Sequence, residues 1–141
     1  VTIVLDSGAI IASENNDPVM AALLKAARKN RTPILVPAAV VAETWRGPGT
    51  HPRTALLFAS ADGFPELNES DARRVGALLA LSKTSAIVDG NVVSVAIAQA
   101  PSTIVTSDIS DISHLLRSAR IPYSLFGGRV RSSAQVVIVR V

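Results

Sequence analysis

Val1-Thr2-Ile3-Val4-Leu5-Asp6-Ser7-Gly8 opens the chain. Val1, Ile3, Val4 and Leu5 are apolar and Val1 to Val4 are all β-branched, the composition of a buried strand that runs straight into a Ser-Gly turn. A carboxylate at the end of such a strand is costly unless a cation, a set of hydrogen bonds or a bound metal takes up its charge. Asp is also a favoured helix N-cap. Asp6 therefore either caps the helix that follows or holds a cation, and this stretch alone leaves both roles open.

Working outward, the same kind of unit recurs. Thr103-Ile104-Val105-Thr106 reads as a strand running into Ser107-Asp108-Ile109-Ser110-Asp111, which starts a helix through Arg117. A short buried strand is expected at Thr32 to Val36, a minor one at Phe64 to Leu67, and closing strands at Ile121 to Phe126 and Val136 to Val141, parted by a flexible Gly127-Gly128-Arg129 region. Helices are expected over Ser7 to Ala12, from Pro18 behind an Asp17 cap, over Ala38 to Arg46 and over His51 to Ala61. Two more run from Asn68 to Ser82, with Val75, Leu78, Leu79 and Leu81 inward, and through Val92 to Gln99 with Asp89 at the N-terminus. On the Pro18 helix, Val19, Leu23 and Ala27 share the apolar face.

Strands alternating with helices predict an α/β fold, a three-layer α/β/α sandwich with a mainly parallel central sheet, as a single domain over 1–141. In such sheets ligands sit at the carboxyl ends of the strands, where the strand order reverses. Asp6 and Asp108 both fall at strand ends.

Composition narrows the class. Apolar residues make up 48% and the mean hydropathy is +0.37, but no run approaches the ~18 apolar residues of a membrane span, so no membrane partner is expected. No basic stretch followed by an apolar core begins the chain, so no signal peptide is expected, and a lack of cysteine excludes disulfides and thiolate metal sites and suits the cytoplasm. The net charge is only +3. Set five of the eleven acids aside, however, and fourteen Lys and Arg face the remaining six, a basic body around an acidic pocket that suits a polyanion.

Those five acids are Asp6 and Asp108 after strands, Asp89 and Asp111 at helix starts, and Glu43 within an apolar helix. Clustered carboxylates without basic partners raise one another's pKa unless a divalent ion neutralises them. Oxygen-only donors, with no Cys and no suitable His pair, favour Mg²⁺ or Mn²⁺ over Zn²⁺, and such ions mostly serve phosphate chemistry.

The order and spacing of these residues resemble the PIN-domain nucleases, in particular the VapC-type toxin ribonucleases of toxin–antitoxin pairs. Val4-Leu5-Asp6-Ser7-Gly8-Ala9, Val36-Pro37 with Val41-Ala42-Glu43, Val88-Asp89 with Ala96 and Ala98, and Val105-Thr106-Ser107-Asp108-Ile109-Ser110-Asp111-Ile112 carry the resemblance along the whole chain. It implies an acidic pocket that holds Mg²⁺ or Mn²⁺ and cuts single-stranded or looped RNA through a metal-activated water. Asp6 and Asp89 are implied as principal ligands, Glu43 and Asp108 as the rest of an acidic quartet, Asp111 as a further acid, and Thr106 or Ser107 as orienting a ligand or water. Asn91 is a polar pocket residue or a cap. Arg46 either contacts a flanking phosphate or serves the helix end, where cations are favoured.

A toxin implies a cognate antitoxin, and the apolar helices around Met20 to Leu24 and Val40 to Phe58 offer it, or a second copy in a homodimer, a surface; core packing accounts for many of the same residues. His51 and His114 each stand alone and suit surface or packing roles, as does Trp45. Two other enzyme or signalling classes fit less well. A HAD-like phosphatase needs a second Asp where Gly8 stands, and a receiver domain needs a lysine where Thr106 and Ser107 stand. A catalytically inert PIN-like RNA-binding or scaffold module is the non-enzymatic alternative.

Overall fold

A computed structural model of the chain describes residues 1–128 and 133–141. Arg129, the last residue of the expected flexible region, lies outside the described residues. The strands are β1 (Thr2–Leu5), β2 (Ile34–Leu35), β3 (Ser102–Thr106), β4 (Tyr123–Leu125) and β5 (Val136–Arg140). The helices are α1 (Ser7–Glu14), α2 (Pro18–Asn30), α3 (Ala38–Thr44), α4 (Pro52–Ser60), α5 (Glu69–Ser82), α6 (Ile87–Ala98) and α7 (Ile109–Ser118). The strands form one sheet of order β2-β1-β3-β5-β4 with every pairing parallel. Helices flank it in a three-layer α/β/α sandwich: α5, α6 and α7 pack on one another, α1 packs against α2, α3 and α4, and α3 reaches both α1 and α6.

The core explains the register. Val4, Leu5, Ile104, Val105, Val136 and Ile138 are buried in the sheet, and Ile10, Met20, Val40, Val92, Ile112 and Leu116 cover it from the helices. Met20, Val40 and Leu57, from the helices that offered a partner surface, are thus core residues. Central parallel strands covered on both faces read as continuous apolar runs, which is why β1 and β3 stand out in the sequence.

Several local expectations are corrected. Phe64 to Leu67 is not a strand: Pro65 has no N–H to offer a ladder, and only Gly63 makes an isolated bridge, to Leu35. That stretch instead borders β2, with Val36 donating to the Gly63 carbonyl and Ala38 to that of Pro65. The second strand shrinks to Ile34–Leu35, and α3 stops at Thr44, with Trp45 already extended. Val19 and Leu81, both expected inward, are exposed, because Met20 and Ala27 on α2 and Val75, Leu78 and Leu79 on α5 fill the buried stripes. No single helix among the described residues is long and apolar enough to cross a membrane.

The chain leaves β1 toward β2 on one side and returns to β3 on the other, so the strand order reverses between β1 and β3. The carboxyl ends of these two strands are where Asp6 and Thr106 stand.

Candidate active site

Asp6 is buried, at 4% exposure, and both its oxygens are engaged. Oδ1 accepts from the Ser7 N–H at 2.7 Å, as N-cap of α1, and Oδ2 accepts from the Thr106 hydroxyl at 2.6 Å. Thr106 Oγ1 in turn accepts from the Asp108 N–H at 2.9 Å, and Asp108 Oδ1 accepts from the Asp111 N–H at 3.1 Å, capping α7. One chain of hydrogen bonds thus runs from the end of β1 across the end of β3 into the first turn of α7. Each carboxylate oxygen of Asp6 keeps a further lone pair, so capping does not exhaust its acceptor capacity.

The two strand ends can approach this closely because residue 8 is glycine. A Cβ there would stand 2.8 Å from both the Cβ and the backbone nitrogen of Ser107, a contact that no real side chain makes. Beside Asp6, the Ser7 hydroxyl oxygen is buried with no hydrogen-bond partner among the described residues.

The other acids arrive from the helices. Asp89 lies half-buried in the first turn of α6, and Glu43, Asp108 and Asp111 are exposed around it. Burial, joined by the charges of Asp6, Asp111, Asp108 and Glu43, pushes the Asp89 carboxyl up to about 6. Burial likewise raises Asp6, against the lowering effect of its hydrogen bonds from Thr106 and Ser7, with Glu43 and Asp108 raising it further. The side-chain hydrogen bond with Asp108 raises Asp111, aided by the charge of Asp108 and by desolvation, while His114 pulls it down. All five predicted acids therefore share one electrostatic field. The ion pairs among the described residues, Arg73–Glu69 and Arg74–Asp71, both lie on α5 and neutralise none of them.

Two clefts adjoin the acids. One of about 360 Å³ is lined by Thr84, Ala86, Asp89, Asp111 and His114. The other, of about 270 Å³, is lined by Glu14, Glu43, Arg46, His51 and Thr54. The remaining predicted residues fall as follows. Asn91 is buried and its Oδ1 accepts from the Ala39 N–H at 3.3 Å, so it joins α6 to α3 rather than facing the acids. Ser107 is exposed above Gly8. Arg46 Nη1 donates to the carbonyls of Ala42 and Trp45, serving the end of α3, and Trp45 stacks on Phe58 with ring centroids 6.0 Å apart. His51 makes no cap bond to α4.

Three residues contribute in ways the sequence does not show. His114 borders the acid cleft, its Nε2–H donating to the Ser82 carbonyl at 2.8 Å. Glu14 caps α4 from outside: Oε2 accepts from the Thr54 N–H at 2.8 Å and from the Thr54 hydroxyl at 3.1 Å. Nothing in its own neighbourhood signals this, since the partner is 40 residues away. The third is the orphaned Ser7 hydroxyl, which the sequence places only in the turn after β1.

The donor set suits a hard divalent ion: oxygens only, the carboxyls of Asp6, Asp89 and Asp111 held above their ordinary range by burial and by one another, no Lys or Arg in an ion pair with them among the described residues, and a buried hydroxyl without a partner beside Asp6. Among the described residues no three acids or histidines converge as a ready-made metal cage. No protein-family model matches the chain, and no curated protein matches it in a sequence search.

Proposed function

We propose that this chain is a Mg²⁺- or Mn²⁺-dependent endoribonuclease of PIN-domain type that works in the cytoplasm. The observation that carries the reading is the electrostatic coupling of five carboxyls drawn from positions 6 to 111, with Asp89 raised to about 6 by burial and by the charges of the other four. Groups so perturbed in a cleft are functional candidates, since their mutual repulsion costs stability that a bound cation would relieve.

Asp6 and Asp89 would hold the ion, with Glu43 and Asp108 completing the set. A bound divalent ion supplies charge for a phosphoryl oxygen and lowers the pKa of a water. Thr106 fixes the Asp6 carboxylate so that its free lone pairs keep one direction. Glu43 or Asp108, exposed at the rim, accepts a proton from the attacking water as a general base. Asp111 adds negative charge at the cleft mouth beside His114. The basic residues of the body bind the RNA backbone, a contact that weakens as salt rises.

Purified protein should cut RNA with Mg²⁺ or Mn²⁺, stop when the ion is chelated, and lose at least 100-fold in rate as Asp6→Asn while remaining folded. Unchanged cleavage by Asp6→Asn, or no cleavage of a structured RNA pool with either ion, would remove the reading. The toxin role has its own test: expression should arrest growth, and a small protein encoded in the adjacent reading frame should relieve the arrest.

A further inference from the structure

Helix α3, which carries Glu43, is only seven residues long and begins at Pro37, which makes no side-chain cap bond. A helix start leaves its first N–H groups without intrahelical partners. Here Ala38 donates to the Pro65 carbonyl, and Val40 and Val41 donate to that of Pro37. Ala39 is left, and its N–H goes to Asn91 Oδ1 on α6.

Asn91 is out of character with its helix. It is 1% exposed between Gly90 and the buried Val92, Val93, Val95 and Ala96. Asn disfavours a helix interior, and a polar amide buried there costs free energy unless it is bonded. An apolar residue would satisfy packing alone. Asp89 lies two residues before Asn91, and Glu43 lies one helical turn after Ala39, on the same face of α3. Gly90 keeps α6 tight against α5, since a Cβ there would meet Val75 Cγ1 at 2.9 Å and Leu79 Cδ2 at 3.1 Å. The tie therefore joins a helix that is closely backed to a short helix that has no cap of its own.

We infer that Asn91 is a positioning residue that sets where Glu43 stands relative to Asp89, acting through the Ala39 N–H and touching neither substrate nor ion. The catalytic part of this inference rests on the nuclease reading; the structural part does not.

The test uses the full chain with Asn91→Leu, which keeps the branched shape and removes the acceptor, and Asn91→Asp, which keeps an Oδ acceptor. Hydrogen exchange at the Ala39 amide reads the tie directly. Asn91→Leu should speed that exchange at least tenfold while exchange at the buried β3 amides stays within threefold. It should lower kcat for RNA cleavage at least tenfold with KM within twofold, and Asn91→Asp should restore Ala39 protection and most of kcat. Unchanged exchange at Ala39 in Asn91→Leu overturns the inference, as does equal loss of kcat in both variants when only one loses protection. Should Asn91→Leu unfold, Asn91→Ser, too short to reach Ala39, is read by the same criteria. If the wild-type protein cuts no RNA, the nuclease reading fails and the Ala39 exchange still decides the tie.

Discussion

Removing the charge of Asp89 should make the protein more stable, and the gain should depend on pH. In the unfolded chain this carboxyl titrates near 3.8 and in the folded one near 6. A raised folded pKa means that the native state binds the proton more tightly, so the stability it contributes is full below 3.8 and is lost as pH rises through 6. At about 1.4 kcal/mol per pH unit the difference is about 3 kcal/mol at neutral pH, an upper bound for a group sealed from water. Asp89 is half-buried, and solvent screening brings the figure down to about 1–2 kcal/mol. Its favourable place in the first turn of α6 returns about 0.5 kcal/mol to the wild type. Asp89→Asn should thus gain about 1 kcal/mol at pH 7.5, and nothing near pH 3.5. Urea unfolding of both proteins at half-unit pH steps reads this directly. Millimolar Mg²⁺ should stabilise the wild type and leave Asp89→Asn nearly unmoved, since an ion at 100 times its Kd adds about 2.7 kcal/mol to the form that binds it. A variant that is less stable by the same amount at every pH would refute the reasoning.

Thr106→Val removes the donor to Asp6 and the acceptor for Asp108, and should cost about 1.5–3 kcal/mol at pH 7 in urea unfolding. Because the Thr106 bond lowers the pKa of Asp6, the loss should shrink toward pH 4; a loss that is flat with pH would count against the bond. Gly8→Ala drives a methyl into the Ser107 backbone and should cost about 1–3 kcal/mol by thermal unfolding, with no relief from Ser107→Ala because the backbone nitrogen stays. Glu14→Ala uncaps α4 and should cost about 1–2 kcal/mol, and a change below about 0.3 kcal/mol would mean that water replaces the cap.

The parts of this molecule that are legible in its sequence are those written locally. β1 with Asp6 and β3 with Asp108 are each a buried strand, an acid cap and a helix in consecutive residues, so both the layers and the acids can be read in order. The insertion of β5 between β3 and β4 is not written in either strand, whose apolar runs would suit any interior place in a parallel sheet. Leu81 and Val19 were misplaced because an apolar residue beside a stripe reads like one within it, and only the rotation of the packed helix separates them. Phe64 to Leu67 has strand composition, but Pro65 forbids the ladder. Asn91 stands out in the sequence as a polar pocket residue or a cap, but the helix it serves is illegible there, as is the one served by Glu14: each satisfies the backbone of a helix 40 or more residues away, and its own neighbours carry no trace of that helix.

The bond between Asp6 and Thr106 spans 100 residues, and the strand beyond β3 in the sheet is β5, which follows β4 in sequence. During synthesis β1 can pair with β2, but Asp6 Oδ2 waits for its Thr106 donor until β3 has been made, and β3 keeps an open edge until residues 136–140 arrive. A fragment that ends before β3 carries Asp6, Glu43 and Asp89 but lacks Thr106, whose hydroxyl holds the Asp6 carboxylate, and lacks Asp108 and Asp111.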